Sequence, residues 1–381
     1  MIEKLNTIVI IWGNDNYNVL GLLRQLTPYV EKVIFLANKN KKGCASKSFF
    51  CKHLKVVKSQ EEAIEYITII GKGLKQKGFI ITTSDLLAEC IDQHSKELSK
   101  YFYLSSTTEQ GQLTTALNKN YQYKLANCLG FNVPESKQFC WDSTIEEIIY
   151  PILIKPAFKK PDLHHPFKTY VCKNKVELIE VQQHLDKNGT YVLQHFIEKE
   201  YDLLVYGCRL EDGRTIYAGS FSKYRWSKGD GSYGTINASI PDCVNLKKLD
   251  AFLMKIDYCG LFSAEFGVKD GTAWFYEFNL RNDGTSHYFY QAGLINIPLL
   301  WVKSHFEGIS SISQPNKIAT FIDEIDDKNN IRTGIVTSSE WREQRYRATV
   351  FKYYDPQDKC PYYHTKIITV LKNIYHTLKG R

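Results

Sequence analysis

None of the ten cysteines in this 381-residue chain lies in a C-x-x-C pair or any other zinc spacing, which sets aside zinc ribbons and fingers. They stand at positions 44, 51, 90, 128, 140, 172, 208, 243, 259 and 360. Scattered in this way they read as small hydrophobes of a chain held in a reducing cytoplasm. No apolar run reaches the length of a membrane span. The short run Ile8 to Trp12, behind Glu3 and Lys4, reads as a buried strand and not as a signal peptide. No internal repeat, low-complexity segment or RNA-binding pattern is present. The net charge of +8 therefore points to a phosphate-bearing small molecule as partner and not to nucleic acid. The first strand is followed by Gly-Asn-Asp-Asn-Tyr-Asn and not by G-x-G-x-x-G, which excludes a nicotinamide-binding Rossmann domain.

What is present is a globular composition. The chain is 43% hydrophobic and 24% charged, with 25 Tyr and 20 Phe, which favours a β-containing fold over a helical bundle. Its length suits two or three lobes. Strand-like runs at 5–12, 33–36, 78–82 and 101–104 alternate with helical patterns at 19–25, 61–74 and 86–98, with a basic loop at 39–52. That alternation predicts an open parallel sheet.

The densest signal lies at 261–285. Leu261 to Val268 reads as a strand, Lys269-Asp270-Gly271-Thr272 as a turn, and Ala273 to Leu280 as an aromatic-rich return strand. Glu265 sits on the first arm and Glu277 twelve positions on, followed at steps of two by Asn279 and Arg281. Side chains alternate along a strand, so these last three share a face. If the hairpin closes about its Asp-Gly turn, Glu265 comes back beside Glu277. Two carboxylates, an amide oxygen and a guanidinium suit a hard divalent ion carrying phosphates. A solvated surface strand is the plain alternative.

Other segments carry isolated signals. Lys119 opens a helix read at Tyr121 to Leu129, which stops at Gly130. Tyr150 to Pro156 is an apolar strand holding Lys155, a charge that needs a counter-ion. Tyr191 to Glu198 is a strand with an acidic end. Tyr201 to Arg209 and Thr215 to Tyr224 read as a hairpin about Glu211-Asp212-Gly213-Arg214. The basic run Lys223-Tyr224-Arg225 leads into a Gly-rich flexible loop at 227–234, an arrangement suited to clamping a phosphoryl group. Leu246 to Cys259 reads as a helix leading into the Glu hairpin. Helices are also expected at 288–294, 297–303 and 338–347, with a strand at 318–325. Thr365 to Leu378 forms a basic amphipathic pattern with apolar residues at 367, 371, 374 and 378. Packing back on the body of the protein is the reading favoured for it, ahead of contact with an anionic membrane surface.

Glu265 followed by Glu277-x-Asn279-x-Arg281 resembles the metal-binding signature of the ATP-grasp superfamily. The segment around Lys119, the strand ending at Lys155 and the strand 191–198 occur in that superfamily's order, so the likeness covers roughly residues 115–305. The pattern from Glu277 to Trp301 and the tail behind it are most similar to D-aspartate-ligase-like carboxylate–amine ligases. The resemblance implies an α/β chain, α+β in its nucleotide-binding part. It places a Rossmann-like lobe at 1–113, an ATP-grasp small lobe at 114–195, a metal and catalytic lobe at 196–313 and a C-terminal extension at 314–381. It implies Mg²⁺ on Glu265, Glu277 and Asn279, and ATP phosphates on Lys119, Lys155 and Lys168. The base would meet Gln194, His195 and Ile197, the last two through the main chain, and the ribose Asp202. Arg281, Lys223 and Arg225 would stabilise charge on the transferred group, and residues 282–286 would take the acceptor carboxylate. The Gly-rich phosphate loop of the superfamily is missing after Lys155. The chain has FKKPDLHHPFKTY there, leaving Lys159, Lys160 and Lys168 to act through side chains, with His164 and His165 as loop residues. The implied activity is ATP-dependent joining of a carboxylate to an amine through an acyl phosphate, with small-molecule substrates. A phosphotransferase and a non-catalytic nucleotide-binding protein are the two alternatives.

Overall fold

The computed structural model describes residues 3–38, 43–145, 148–157, 167, 169–309, 312 and 315–379. Three sheets follow one another along the chain. The first has five parallel strands in the order His53–Val57, Val30–Asn38, Leu5–Gly13, Gly78–Thr82 and Phe102–Leu104. Its central strand is apolar on both faces because both are covered: Val9, Ile10, Ile11 and Trp12 are fully buried. The edge strand His53–Val57 was not expected. Four of its five residues are at least partly exposed, so it lacks the buried period that marks a strand in sequence, and it forms by pairing with the edge of Val30–Asn38.

The turn after the first strand works without a glycine triad. Asn16 caps helix Tyr17–Leu26, accepting from the amides of Asn18 (3.1 Å) and Val19 (3.4 Å). Gly13 is required where the strand ends, since a β-carbon there would stand 2.1 Å from Thr83 Oγ1.

The second sheet is antiparallel, ordered Ser136–Phe139, Tyr191–His195, Ile152–Pro156 and Tyr170–Cys172, with helix Lys175–Gln183 beside it. The third is the largest. Thr272–Asn279, Tyr258–Lys269, Tyr201–Arg209, Thr215–Ser227, Asp230–Asn237, Ile318–Ile322 and Val350–Phe351 run in order, and Ser106–Thr107 pairs onto Tyr258–Lys269. All pairs are antiparallel except the last on the C-terminal side. Residues beyond 314 thus extend this sheet by two strands. One apolar core joins it to the first sheet: Val9, Leu20 and Phe79 pack in the same cluster as Tyr206, Phe221 and Trp301.

Three local expectations are corrected. Residues 227–234 are not a loose loop. Ser227 pairs with Asp230 and Trp226 with Gly231, closing a tight hairpin. The helix before the Glu hairpin stops at Lys255, and Tyr258 and Cys259 already belong to the strand. Helix Cys360–Lys379 does not bury its apolar stripe: Ile367, Leu371 and Ile374 are each more than half exposed. Among the described residues no helix is long and apolar enough to cross a membrane, and all ten cysteines are unpaired.

The C-terminal segment is clasped to the first lobe through charge. Asp358, 2% exposed, accepts from Arg24 Nε (3.0 Å), Ser48 Oγ (2.7 Å) and the Phe49 amide (2.9 Å). Arg24 also donates to the carbonyls of Tyr353 and Asp358. Removing one partner strands the other charge in the interior, at a cost of about 3–5 kcal/mol. Asp358→Ala is therefore expected to lower Tm by several degrees, and a thermal melt within one degree of wild type would show that the clasp contributes nothing.

Candidate active site

The Glu hairpin turns on Asp270 and Gly271, at φ +48° and +69°. Positive φ at both central residues is the type I′ geometry that Asp-Gly favours. Plain pairing from this turn sets Val268 against Ala273, Gly267 against Trp274 and Phe266 against Phe275. Continued, it would set Glu265 against Tyr276. A bulge at that point sets Glu265 against Glu277 instead. The bulge leaves Tyr276, Glu277 and Asn279 lining the cleft, while Phe275 and Phe278 face the core on the other side.

Two carboxylates directly opposed on neighbouring strands repel by on the order of 3 kcal/mol even when well screened. Cations from four segments answer this. Lys119, first residue of helix Lys119–Cys128, is ion-paired to Glu277. Lys155 lies on strand Ile152–Pro156, buried, with its ammonium 5.2 Å over the Tyr123 ring. Lys223 reaches Glu265 at 3.6 Å. Arg281 donates to Asn279 Oδ1 (2.9 Å) and Asp85 (2.9 Å) and lies 3.6 Å from Asp283. The Asn279 amide in turn donates to Glu265 (3.2 Å) and to Ser263 Oγ (3.2 Å).

The two acids are shifted in opposite directions. Burial pushes the Glu277 carboxyl up, but Lys119, Lys155 and Arg281 outweigh it and bring it down to about 2. Glu265 is raised, first by burial, with Lys223 opposing and Glu277 adding to the rise. Lys119 and Lys223 are each raised above the usual lysine range: desolvation opposes the rise, but Glu277 with Tyr123 and Asp85 at Lys119, and Glu265 with Asp202 and Asp283 at Lys223, together outweigh it. The neighbouring Asp283 is held below its ordinary value despite burial, by Arg281 and Lys223 and by its bonds from Thr285.

These groups line one cleft of about 970 Å³ between the sheets. Of the expected site residues, Lys119, Lys155, Gln194, His195, Ile197, Asp202, Lys223, Glu265, Glu277, Asn279 and Arg281 all line it. Lys168, and with it Lys159, Lys160, His164 and His165, lies outside the described residues. Gln194 is 3% exposed and its Nε2 has no hydrogen-bond partner among the described residues, an orphaned donor of the kind a bound base satisfies. The His195 amide is already given to Glu135 O (2.8 Å), so only its carbonyl is left for a base. Asp202 accepts from Trp226 Nε1 (2.6 Å) and from Lys199.

Arg225 does not line the cleft. The strand bulges between Lys223 and Arg225 and again before Trp226. The parity of the faces is broken, and Trp226 takes the place beside Lys223 that step-two counting assigns to Arg225. The Arg225 guanidinium instead grips fully buried Asp327 at 2.9 and 2.5 Å and donates to Gln344. Asp327 also accepts from Ser232, Asn330 and Trp341, a structural hub behind the sheet.

Among the cleft residues that the sequence did not point to are Asp85, Tyr17 and Lys352. Asp85 heads a helix at the carboxyl end of a parallel strand, and Tyr17 does the same after the first strand; that position in an open sheet is the signal that was there to use. Lys352 enters from beyond the last strand, bonded to Asp323 (3.0 Å) with its ammonium 4.4 Å over the Tyr17 ring. No local pattern announces it.

No protein-family model and no curated protein matches the sequence. Solved structures match the fold. An L-amino acid ligase from Bacillus licheniformis superposes with a TM-score of 0.60 at 15% identity, covering 79% of this chain and 74% of that one. N5-carboxyaminoimidazole synthetase from Staphylococcus aureus, complexed with ADP, gives 0.65 at 13% identity, over 90% and 88%. The biotin carboxylase domain of a Hydrogenobacter thermophilus 2-oxoglutarate carboxylase, in complex with MgADP and bicarbonate, gives 0.60 at 13%, over 82% and 73%. The chain has the ATP-grasp fold. The cleft is lined from the small antiparallel sheet by Leu153, Lys155 and Gln194, from the large one by Asp202, Lys223 and Glu265, and from the first lobe by Tyr17 and Asp85.

The donor set fits a hard cation. Among the described residues no cluster of three His, Cys, Asp or Glu stands ready to cage a metal. Two carboxylates and an amide do suit Mg²⁺, which keeps waters and shares substrate phosphate. Replacing Glu277 by Gln keeps shape and removes one charge. Both Glu277→Gln and Glu265→Gln are expected to lose most of the Mg²⁺-dependent part of the thermal shift given by ATP; an undiminished shift in both variants would remove the metal assignment. Lys155→Met keeps the hydrocarbon stem over Tyr123 and should fold, yet bind nucleotide at least tenfold more weakly. Wild-type affinity in a calorimetric titration would make Lys155 a structural lysine.

Proposed function

We propose that this protein is an ADP-forming carboxylate–amine ligase working in the cytoplasm on small-molecule substrates. One observation carries the reading: Glu265 and Glu277 directly opposed in a cleft, ringed by Lys119, Lys155, Lys223 and Arg281, with the orphaned amide of Gln194 further along the same cleft. An ammonium-rich, carboxylate-paired site of this size suits a nucleoside triphosphate with its metal. The matching structures are an L-amino acid ligase, an N5-carboxyaminoimidazole synthetase holding ADP and a biotin carboxylase domain holding MgADP and bicarbonate, which supports the same class here. The divisions at 113, 195 and 313 follow from the same reading.

Each group has a task. Gln194, the His195 carbonyl and Ile197 receive the base. Lys119 and Lys155, now paired with or drawn to Glu277, exchange that carboxylate for the phosphates. Glu265, Glu277 and Asn279 hold Mg²⁺, which would neutralise charge on the phosphate chain. A substrate carboxylate oxygen then forms a bond to the γ-phosphorus while the bond to the ADP oxygen breaks. The amine nitrogen next bonds to the acyl carbon, phosphate leaves with the shared oxygen, and the amine gives up a proton. Arg281 and Lys223 face the place where negative charge gathers in both steps. Arg281 is held there from three sides by Asn279, Asp283 and Asp85.

The test is interception. With MgATP, a panel of carboxylates and hydroxylamine in place of the amine, a hydroxamate should form together with ADP and phosphate. Arg281→Ala should slow this about a hundredfold while changing ATP affinity far less. A stable phosphorylated alcohol with no hydroxamate would instead establish a phosphotransferase, and ATP binding with neither product would establish a non-catalytic protein.

A further inference from the structure

Helix Cys360–Lys379 contains no Asp or Glu and is attached along one side only. On its inner side Pro361 is buried, and Ile368, Thr369 and Lys372 line a second cavity of about 480 Å³. That cavity shares Asn16, Tyr17 and Lys228 with the main cleft. On its outer side Tyr363, Ile367, Val370, Leu371 and Ile374 are each 50–60% exposed. Their spacing of i, i+4, i+7, i+8 and i+11 puts all five in one stripe about 100° wide. Apolar side chains in register over three turns, left in water, mark an interaction face.

Charge decides the occupant. Lys366 borders the stripe. Burial, and then the nearby charges of Lys366 and Arg345, lower the Lys328 ammonium, so these three cations share a patch beside the helix. Lys372, which lines the cavity, and Lys379 lie on the side of the helix turned away from the stripe. Next to the helix start, Phe49 is 66% exposed with the Lys52 ammonium 3.6 Å over its ring, and its amide is tied to Asp358. A second copy of this helix would bring like charges together and offer no carboxylate to meet them. An anionic lipid surface supplies both an apolar boundary for the stripe and negative headgroups for Lys366, its neighbours Lys328 and Arg345, and Lys52.

We propose that helix Cys360–Lys379 docks this protein on the surface of an anionic bilayer, lying in the interface with the Tyr363–Ile374 stripe toward the acyl chains. This does not rest on the ligase reading. Its consequence is positional: the cavity behind the helix, which shares Asn16 and Tyr17 with the lining of the cleft, is held within about one helix diameter of the lipid.

The experiment is flotation of the full chain with vesicles. Vesicles of phosphatidylcholine with 30% phosphatidylglycerol should carry at least five times more wild-type protein than pure phosphatidylcholine. Raising salt from about 0.1 M to 0.5 M should release most of it. The double variant Ile367→Ser, Ile374→Ser should lose flotation, and Lys366→Gln should weaken it about fivefold. Both variants should keep the wild-type melting temperature, because the altered side chains are exposed. Absence of wild-type flotation on anionic vesicles would overturn the proposal, as would undiminished flotation of the double variant. So would a wild-type dimer in sedimentation that the double variant converts to monomer, since a second copy would then cover the stripe.

Discussion

Glu265 and Glu277 face each other across two hydrogen-bonded strands, and that repulsion is the constraint around which the cleft is built. A like-charged pair is tolerable only with counter-charge on every side. Each counter-charge arrives on a different piece of chain: a helix for Lys119, the small sheet for Lys155, the next strand but one for Lys223, and the end of the hairpin for Arg281. Arg281 in turn is tied to Asp85 of the first lobe. The acidic pair therefore sits at the point where three sheets meet, and its electrostatics couple all of them. The same cations are the groups a triphosphate would recruit, so occupancy of the site would redistribute ion pairs already made rather than assemble them anew.

The large sheet handles its two faces by different means. Toward the cleft it presents Lys223, Trp226, Asp202 and Tyr276, with Trp226 bonded to Asp202 and Lys223 drawn to Glu265, all of them lining space open to a ligand. Behind the sheet Arg225 closes on Asp327 with Ser232, Asn330 and Trp341 completing the carboxylate's partners. A charge satisfied in that way is structural, because any ligand would have to break several buried bonds to reach it. Residues beyond 314 supply Asp327 to this hub and Lys352 to the cleft, and they are locked to the first lobe through Asp358 and Arg24. The C-terminal segment is thus part of the site's frame as well as the bearer of an uncovered helix.

How much of this could be read in advance differs from residue to residue. The Asp-Gly turn, the aromatic strands around it and the step-two spacing of Glu277, Asn279 and Arg281 are local properties, and local backbone geometry expresses them directly. The parallel sheet of the first lobe was legible for the same reason: a strand covered on both faces reads as an unbroken apolar run, as at 8–12. The hairpin did need a bulge at Tyr276 to bring Glu277 opposite Glu265, and no local rule foretells that displacement.

By itself the sequence determined the kinds of groups in the cleft and their order along the chain, because hairpins, caps and buried strands are set by neighbours a few residues apart. Only the tertiary structure decided which of those groups meet. A bulge between Lys223 and Arg225 sent one to the cleft and the other to Asp327. Packing of the first lobe brought Asp85 and Tyr17 to Arg281 and Lys352, across separations of 196 residues in the case of Asp85 and Arg281. The apolar stripe of the last helix has a helical period whether it is covered or not. Its exposure became visible only once the other described elements had taken their places and none of them had packed against it.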